Sequence, residues 1–267
     1  MDPSGSRVIQ ITDTHICGNP ESLVLGIPTR QALNLVVEDI RAHYPSSDLL
    51  LVTGDLSQDG SLDSYRYLRR VLEGVSARVR CIPGNHDDRD MMGHVLPADM
   101  VRMDEPVRLD DWRILLLDSV VTGAVHGAVS DDDLEKLESR LRDLDGRYAL
   151  VTIHHPPIEL GSRWMDGIRL RNGERLLALI ERFAAVKILA WGHAHQDYAG
   201  RYAGIGIYGT PSTCFQFKPR SADFELDGLP PGYRVFDLAA DGGFTTEVVR
   251  LSEFPYAPTL DARYNEP

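Results

Sequence analysis

The chain has 267 residues, 43% hydrophobic and 25% charged, a composition that excludes a mostly disordered protein and suffices for a substantial core. Lys+Arg total 28 and Asp+Glu 40, a net charge of −12, so the surface repels phosphate backbones and disfavours long nucleic acid as a partner. Cys17, Cys81 and Cys214 form no CxxC pair, which argues against a disulfide framework or a zinc knuckle.

The segment MDPSGSRVIQITDTH lacks a basic stretch followed by an apolar one, so no signal peptide is expected. No apolar run approaches about 18 residues, so no membrane span is expected either. The expected compartment is the cytoplasm. Further along, short apolar runs alternate with helical patterns. Residues 8–11 read as a strand and 29–43 as a helix, with Thr29 as its N-cap. Residues 49–52 (strand), 62–72 (helix) and 79–82 (strand, stopped by Pro83) follow. Then come 114–117 (strand), 131–144 (helix), 150–153 (strand), 176–183 (helix) and 186–190 (strand). The alternation predicts α/β layering, and the unbroken apolar strands predict burial on both faces. The last third is β-rich: 204–208, 233–238 and 244–249, with the turn Asp241-Gly242-Gly243 between the last two. These read as antiparallel strands finishing a second sheet. With no repeat and no linker, one domain over 1–267 is expected.

Five of these strands run into polar clusters. In order these are Asp13-Thr14-His15, Gly54-Asp55, Gly84-Asn85-His86-Asp87, His154-His155-Pro156-Pro157 and Gly192-His193-Ala194-His195. Any one of them is ordinary turn chemistry, since a lone histidine after a strand is more often a hydrogen-bonded structural residue than a ligand. Together they hold six of the nine histidines, and the carboxyl ends of strands are where open α/β sheets bind ligands. Imidazole with carboxylate oxygen and no thiolate suits Mn, Fe, Zn or Co. The donors suffice for two ions, with Asp55 able to bridge and Asn85 able to offer an amide oxygen. Such a pair points to phosphoester hydrolysis.

The order D-x-H, G-D, G-N-H-D, H-H-P-P, G-H-x-H resembles the calcineurin-like metallophosphoesterase superfamily. The resemblance implies an α/β fold of two packed mixed β-sheets flanked by helices, four layers in the order α/β/β/α. It implies that Asp13, His15, Asp55 and His195 hold one metal ion, and that Asp55, Asn85, His154 and His193 hold the other. His154 is preferred to His155 because the family's ligand precedes x-Pro. His86 is implied as the outer histidine that contacts the scissile phosphate, with Asp87 orienting it. GNHD stands in place of the commoner GNHE. Gln58 stands where purple acid phosphatases carry a metal-bound tyrosine, so a purple ferric chromophore is not expected.

Further blocks resemble the bacterial class III 3′,5′-cyclic AMP phosphodiesterases: Trp164-Met165-Asp166 after HHPP, GHAHQ, PSTCFQFKP at 211–219 and PPGYR at 230–234. They imply hydrolysis of cyclic AMP to 5′-AMP by a hydroxide held between two ions, Fe or Mn before Zn or Co. Residues 211–251 are expected to form C-terminal strands and a lid, although PSTC and PPGYR could equally serve structure alone. Loops on a rigid scaffold usually set specificity, so 159–172 and 212–227 are expected to flank the nucleotide. Arg163, Trp164, Arg169 and Phe215 would touch it together with Asn85 and His86. Three alternatives stay open: a broad phosphodiesterase acting on glycerophosphodiesters, a non-catalytic scaffold, and a nuclease, which the charge disfavours. A homodimer also stays open.

Overall fold

The computed structural model describes residues 5–260 except positions 77, 99 and 104. In chain order the elements are β1 (Ser6–Ile11), α1 (Thr29–His43), β2 (Leu49–Thr53), α2 (Leu62–Leu72), β3 (Val79–Ile82), α3 (Arg89–Val95), β4 (Val101–Met103), β5 (Val107–Leu109) and β6 (Trp112–Leu116). There follow α4 (Asp131–Arg142), β7 (Tyr148–Thr152), α5 (Arg163–Gly167), α6 (Gly173–Ile180), β8 (Val186–Trp191), β9 (Tyr198–Tyr202), β10 (Ile205–Gly209), β11 (Gln216–Phe217), β12 (Leu226–Asp227), β13 (Gly232–Leu238) and β14 (Phe244–Arg250). Two six-stranded sheets result, ordered β14-β13-β1-β2-β3-β4 and β5-β6-β7-β8-β10-β9, beside a two-stranded ribbon of β11 and β12.

The layering follows from where the apolar side chains go. Every residue of β2, LLLVT, is buried. Leu50 and Val52 pack outward against Leu33 and Val36 of α1, Leu68 of α2 and Met92 of α3. Leu49 and Leu51 face the second sheet and meet Ile114, Leu150 and Ile188. On the far side, Leu134, Leu137 and Leu141 of α4 and Leu176 and Ile180 of α6 cover Val151 and Leu189. The order is α/β/β/α, as expected. Among the described residues no helix is long and apolar enough to cross a membrane.

Three sequence expectations need correction. Strands β13 and β14 do not finish the second sheet. β13 pairs antiparallel with β1 (Val8↔Phe236, Ile9↔Val235) and β14 with β13, extending the first sheet. The reason is alternation: Tyr233 and Val235 join the helix-side core, while Phe236 and Leu238 join the core between the sheets. β10 does join the second sheet, parallel to β8. Thr29 is the first helical residue and not the cap, a position held by Pro28. Its hydroxyl instead donates to the His15 carbonyl at 2.8 Å, tying α1 to the loop after β1. Finally, α4 stops at Arg142, and α6 runs from Gly173 to Ile180.

Strands β1, β2 and β3 are mutually parallel, as are β6, β7 and β8. Gln10 of β1 joins the two sheets near their carboxyl edges. Its amide donates to Thr53 Oγ1 (2.8 Å) and to the Trp191 carbonyl of β8 (3.2 Å), and it accepts from Thr210 Oγ1 (2.8 Å). All three contacts are buried, so this polar bridge is satisfied on each side.

Candidate metal centre

The loops after β1 and β2 run side by side because the ladder continues past both strands. Asp13 N donates to Gly54 O, His15 N to Asp55 O and Ile16 N to Leu56 O, each at 3.0 Å. The loop after β8 closes on the first when His193 N donates to Asp13 Oδ1 at 3.1 Å and Oδ2 at 3.0 Å. Asp13, His15, Asp55, His193 and His195 all have positive φ, between 45° and 61°. That conformation costs a residue with a side chain about 1–3 kcal/mol and concentrates at functional sites. Two glycines give the room. A Cβ on Gly54, whose φ is +97°, would lie 2.2 Å from His154 Nδ1, and one on Gly84 would lie 2.2 Å from Asp55 Oδ1.

The five polar clusters meet here. His15 Nε2 lies 3.1 Å from His195 Nε2 and 3.9 Å from Asp55 Oδ2, and His195 Nε2 lies 3.4 Å from Asp13 Oδ1. On the other side of Asp55, His154 Nε2 lies 3.4 Å from the same Oδ2. Three of these rings are fixed through Nδ1–H. His15 donates to Gln58 Oε1 (2.7 Å), His154 to the Thr53 carbonyl (2.8 Å) and His195 to the Phe215 carbonyl (2.8 Å). Nε2 of each ring is thereby aimed at the cluster, the nitrogen a metal ion would take. Asn85 Oδ1, His154 Nε2 and His193 Nε2 are buried without a hydrogen-bond partner. Buried orphan acceptors are costly, and a cation would satisfy all three. The groups Asp13–His15–His195 and Asp13–Asp55–His154 each converge within 4.8 Å. The donor set therefore fits two metal ions.

His155 also lies near His154 and His193, but both of its nitrogens are engaged. Nδ1 accepts from Ser119 Oγ at 2.8 Å and Nε2 donates to the Val125 carbonyl at 3.0 Å. Burial, with His154 beside it, pushes His155 down to about 3. Burial likewise pushes His15 down to about 3, so its ring is neutral and its lone pair available. Burial also opposes charge on His154, yet in the absence of an ion the Asp55 carboxylate holds that imidazole up, at about 9, so a metal ion at Nε2 would take the place of a proton. Asp55 resists desolvation and stays well below the usual carboxylate range because His154 and His86 surround it.

A cleft opens over the cluster. Its floor is His15, Asp55, Asn85, His86, His193 and His195, and its wall is Val125, Trp164, Met165, Ile168 and Phe217. His86 is held by its own backbone, whose N–H donates to Asp55 Oδ1 at 2.9 Å. Its ring meets His15 edge-on at 5.0 Å. Beyond Asn85 a second cavity of about 460 Å³ is lined by Asp87 to Asp90 and Val120 to Gly123.

Of the other expected site residues, Trp164 lines the cleft and Asp87, Phe215, Arg163 and Arg169 do not. Asp87 accepts from the backbone N–H of Leu56, Ser57 and Gly84 and from the Tyr65 hydroxyl, all within 3.0 Å. It clamps the loops after β2 and β3 together, and none of these bonds goes to His86. Phe215 is 1% exposed and packs against His15 (5.2 Å) and His195 (4.8 Å), beneath the cleft and not along it. Arg163 is solvent-facing and paired with Asp223 at 2.9 Å. Arg169 is held by Glu159 at 3.2 Å and by the Asp166 carbonyl. Neither arginine lines the cleft. Trp164 does line it, with Nε1 donating to Ser221 Oγ at 3.2 Å and its ring edge-on to Phe217 at 5.1 Å.

The C-terminal motifs act as supports. In PSTC, Ser212 Oγ donates to the Asp13 carbonyl at 2.8 Å and Thr213 N to the Thr12 carbonyl at 3.2 Å. In PPGYR, Arg234 is buried and donates to Asp197 (2.5 Å) and to the Gly209 carbonyl (2.9 Å), so β13 braces the loop after β8. Of the segment 211–251, residues 232–250 belong to the first sheet, and the β11–β12 ribbon brings Phe217 to the cleft. Sequence reasoning did not single out the wall residues Val125, Met165, Ile168 and Phe217, although the expected segments 159–172 and 212–227 contain the last three, and it missed Gln58 as a partner of His15. The place of Gln58 two residues past Leu56 on a loop paired with 13–16 was the available signal.

A family model described as calcineurin-like phosphoesterase matches residues 6–197. A Vibrio vulnificus protein named 3′,5′-cyclic adenosine monophosphate phosphodiesterase CpdA is 40% identical over 262 residues, covering 97% of this chain and 94% of that one. A Nostoc protein named 3′,5′-cyclic-nucleotide phosphodiesterase is 35% identical, covering 96% and 97%. Among solved structures, a dimetal phosphatase from Danio rerio superposes with a TM-score of 0.61 at 16% identity, covering 88% of this chain and 96% of that one. That last likeness speaks for the fold. With the matching model spanning both halves of the metal cluster, and relatives of this identity along nearly the whole length, the chain belongs to the calcineurin-like phosphoesterase family of hydrolases.

Proposed function

We propose that this chain is a dimetal phosphodiesterase that opens 3′,5′-cyclic nucleotides, cyclic AMP foremost, to the 5′-monophosphate. One observation carries the chemistry: Asp55 Oδ2 faces His15 Nε2 on one side and His154 Nε2 on the other, at 3.9 and 3.4 Å. A single carboxylate between two sets of lone pairs is the geometry of a bridging ligand. Asp13, His15, Asp55 and His195 would hold the first ion, and Asp55, Asn85, His154 and His193 the second. The substrate rests on the names of the relatives, which match this chain over nearly its full length.

Mixed imidazole, carboxylate and amide donors without thiolate favour Fe and Mn, with Zn and Co also suited. Such a pair, when bound, polarises a phosphoryl oxygen and activates water near neutral pH. The chain's own residues do the rest. Asn85, whose Oδ1 is buried without a partner, would hold the second ion through that oxygen and keep its amide N–H₂ for a phosphoryl oxygen. His86 sits on the cleft floor, fixed by its N–H to Asp55 and by His15. There it can stabilise phosphoryl charge and protonate the departing 3′-oxygen. Trp164, half-buried on the cleft wall, offers an apolar face beside the phosphate position, suited to a base, while Phe217 is stacked on His195 and backs it. The net charge of −12 is no obstacle, because bound cations reverse the local field.

The test is substrate competition on one metal-loaded sample: cyclic AMP, cyclic GMP, 2′,3′-cyclic AMP, glycerophosphocholine and single-stranded DNA. The highest kcat/KM is expected for cyclic AMP. A higher value for glycerophosphocholine would replace this reading with a broad small-diester hydrolase.

A further inference from the structure

Three histidines of the cluster have their Nδ1–H held, and two of the three holders are backbone carbonyls, those of Thr53 and Phe215. The third is a side chain: Gln58 Oε1 accepts from His15 Nδ1 at 2.7 Å. Gln58 is itself placed by rigid neighbours. Its N–H donates to the Ile16 carbonyl at 3.0 Å, and Ser57 Oγ donates to the same carbonyl at 3.2 Å. Asp59, one residue on, accepts from Gly18 N at 2.8 Å. The segments 15–18 and 57–59 are thus stitched together on both sides of Gln58, and the amide reaches His15 without further adjustment.

We infer that Gln58 is a positioning residue that fixes His15 as the Nδ1–H tautomer and thereby sets the affinity of the first ion. This rests on the dimetal reading above. The proton choice matters because the neutral ring has two tautomers, and only one leaves Nε2 free. With the proton on Nε2 it would point at His195 Nε2, 3.1 Å away, and block the ligand position. A partner at Nδ1 holds the proton on the far nitrogen and also fixes the ring plane. An amide does this without adding negative charge to a centre that already contains Asp13 and Asp55. A carboxylate in its place would make the imidazole a stronger donor. The first ion is therefore held by a histidine tuned through a replaceable neutral group, while the second is tuned through the backbone of β2.

The experiment titrates metal-free full-length protein with Mn²⁺ and reads His15 by ¹⁵N NMR. Gln58→Leu is expected to weaken one of the two equivalents by about 10–100-fold, the usual effect of losing an outer partner of a ligating histidine, and to move the His15 proton off Nδ1. Gln58→Met keeps the chain length and is expected to behave likewise, which covers a folding failure of the leucine variant. Gln58→Glu is expected to hold the first ion at least as tightly as wild type. Asn85→Ala should weaken the other equivalent instead. Wild-type affinity for both equivalents in Gln58→Leu or Gln58→Met overturns the inference. An equal loss in the Glu variant does so too, since it reduces Gln58 to packing. If the wild type takes up fewer than two ions, the dimetal reading itself falls, and the tautomer measurement still reports whether Gln58 holds the ring.

Discussion

His15 and His195 present their Nε2 atoms to each other at 3.1 Å, while each ring gives its Nδ1–H to a carbonyl oxygen, of Gln58 and of Phe215. With Nδ1 of each ring committed to its carbonyl, the two Nε2 atoms face one another across the position a cation would take. Burial keeps His15 neutral. The arrangement is attractive around a cation, with Asp13 Oδ1 3.4 Å from His195 supplying charge.

Metal removal should therefore cost stability as well as activity. Purified protein should carry close to two transition-metal equivalents by elemental analysis, and chelation should abolish hydrolysis. A ligand at 100 times its dissociation constant adds about 2.7 kcal/mol, so chelation should lower Tm by roughly 5–10 °C for a chain of this size. Calorimetry with and without chelator reads this directly. A metal-free sample with unchanged Tm and full activity would rule out the dimetal centre.

Asp55 and Asn85 differ in what they serve. Asp55 lies within 4 Å of histidines on both sides, whereas Asn85 Oδ1 is one orphan acceptor on one side. Asp55→Ala should lose both ions or leave one weakly held, because two cations close together without a shared anion repel each other. Asn85→Ala should lose one. Elemental analysis after dialysis separates them, and two retained ions in Asp55→Ala would remove Asp55 as the bridge.

What the sequence revealed and what it concealed have physical reasons. The convergence of Asp13, Asp55, Asn85, His154 and His193 was legible because each follows an apolar run at a strand's carboxyl end, and topology alone brings such ends together. Sheet membership of β13 and β14 was not legible, because alternation tells that a strand has two environments but not which strand it joins. Arg163 and Arg169 lie on the expected segment, yet exposed carboxylates at Asp223 and Glu159 capture them. Phe215 reads as a rim aromatic but is 1% exposed, drawn under the histidines by the Asp13 contacts of Ser212. Asp87 reads as a partner of His86, while Leu56 and Ser57 of the loop after β2, Tyr65 of α2 and Gly84 of its own turn claim its oxygens.

Selectivity should follow the wall and not the arginines. Trp164→Ala should raise KM for cyclic AMP by about 10-fold or more, in line with about 1–3 kcal/mol per stacked base. It should leave bis-p-nitrophenyl phosphate within a factor of about two, since that substrate has no base to stack. Arg163→Ala and Arg169→Ala should change neither. Steady-state kinetics on both substrates decides this. Equal effects of Trp164→Ala on the two would make the wall structural, and would direct attention to the cavity beyond Asn85.

His86 should separate cleanly from the metal ligands. It follows Asn85 directly, and two adjacent residues of one turn cannot easily ligate the same ion. Its backbone N–H is already bonded to Asp55 Oδ1, which fixes the turn whatever the side chain, so substitution should disturb the neighbours little. Its ring lies on the cleft floor and stands edge-on to His15, where a phosphoryl oxygen would come. Losing one such donor to developing charge typically costs about 10²–10³ in rate. His86→Ala should thus keep near-normal metal content and lose most of kcat on cyclic AMP. The loss should be smaller on a p-nitrophenyl ester, whose leaving group departs without a proton. One of the convergent groups does contain His15, Asp55 and His86, so the competing assignment is concrete. Metal stoichiometry and kcat on both substrates resolve it. Metal lost in parallel with activity would make His86 a ligand, and equal losses on both substrates would leave it an electrostatic stabiliser without the proton-donating part of the role.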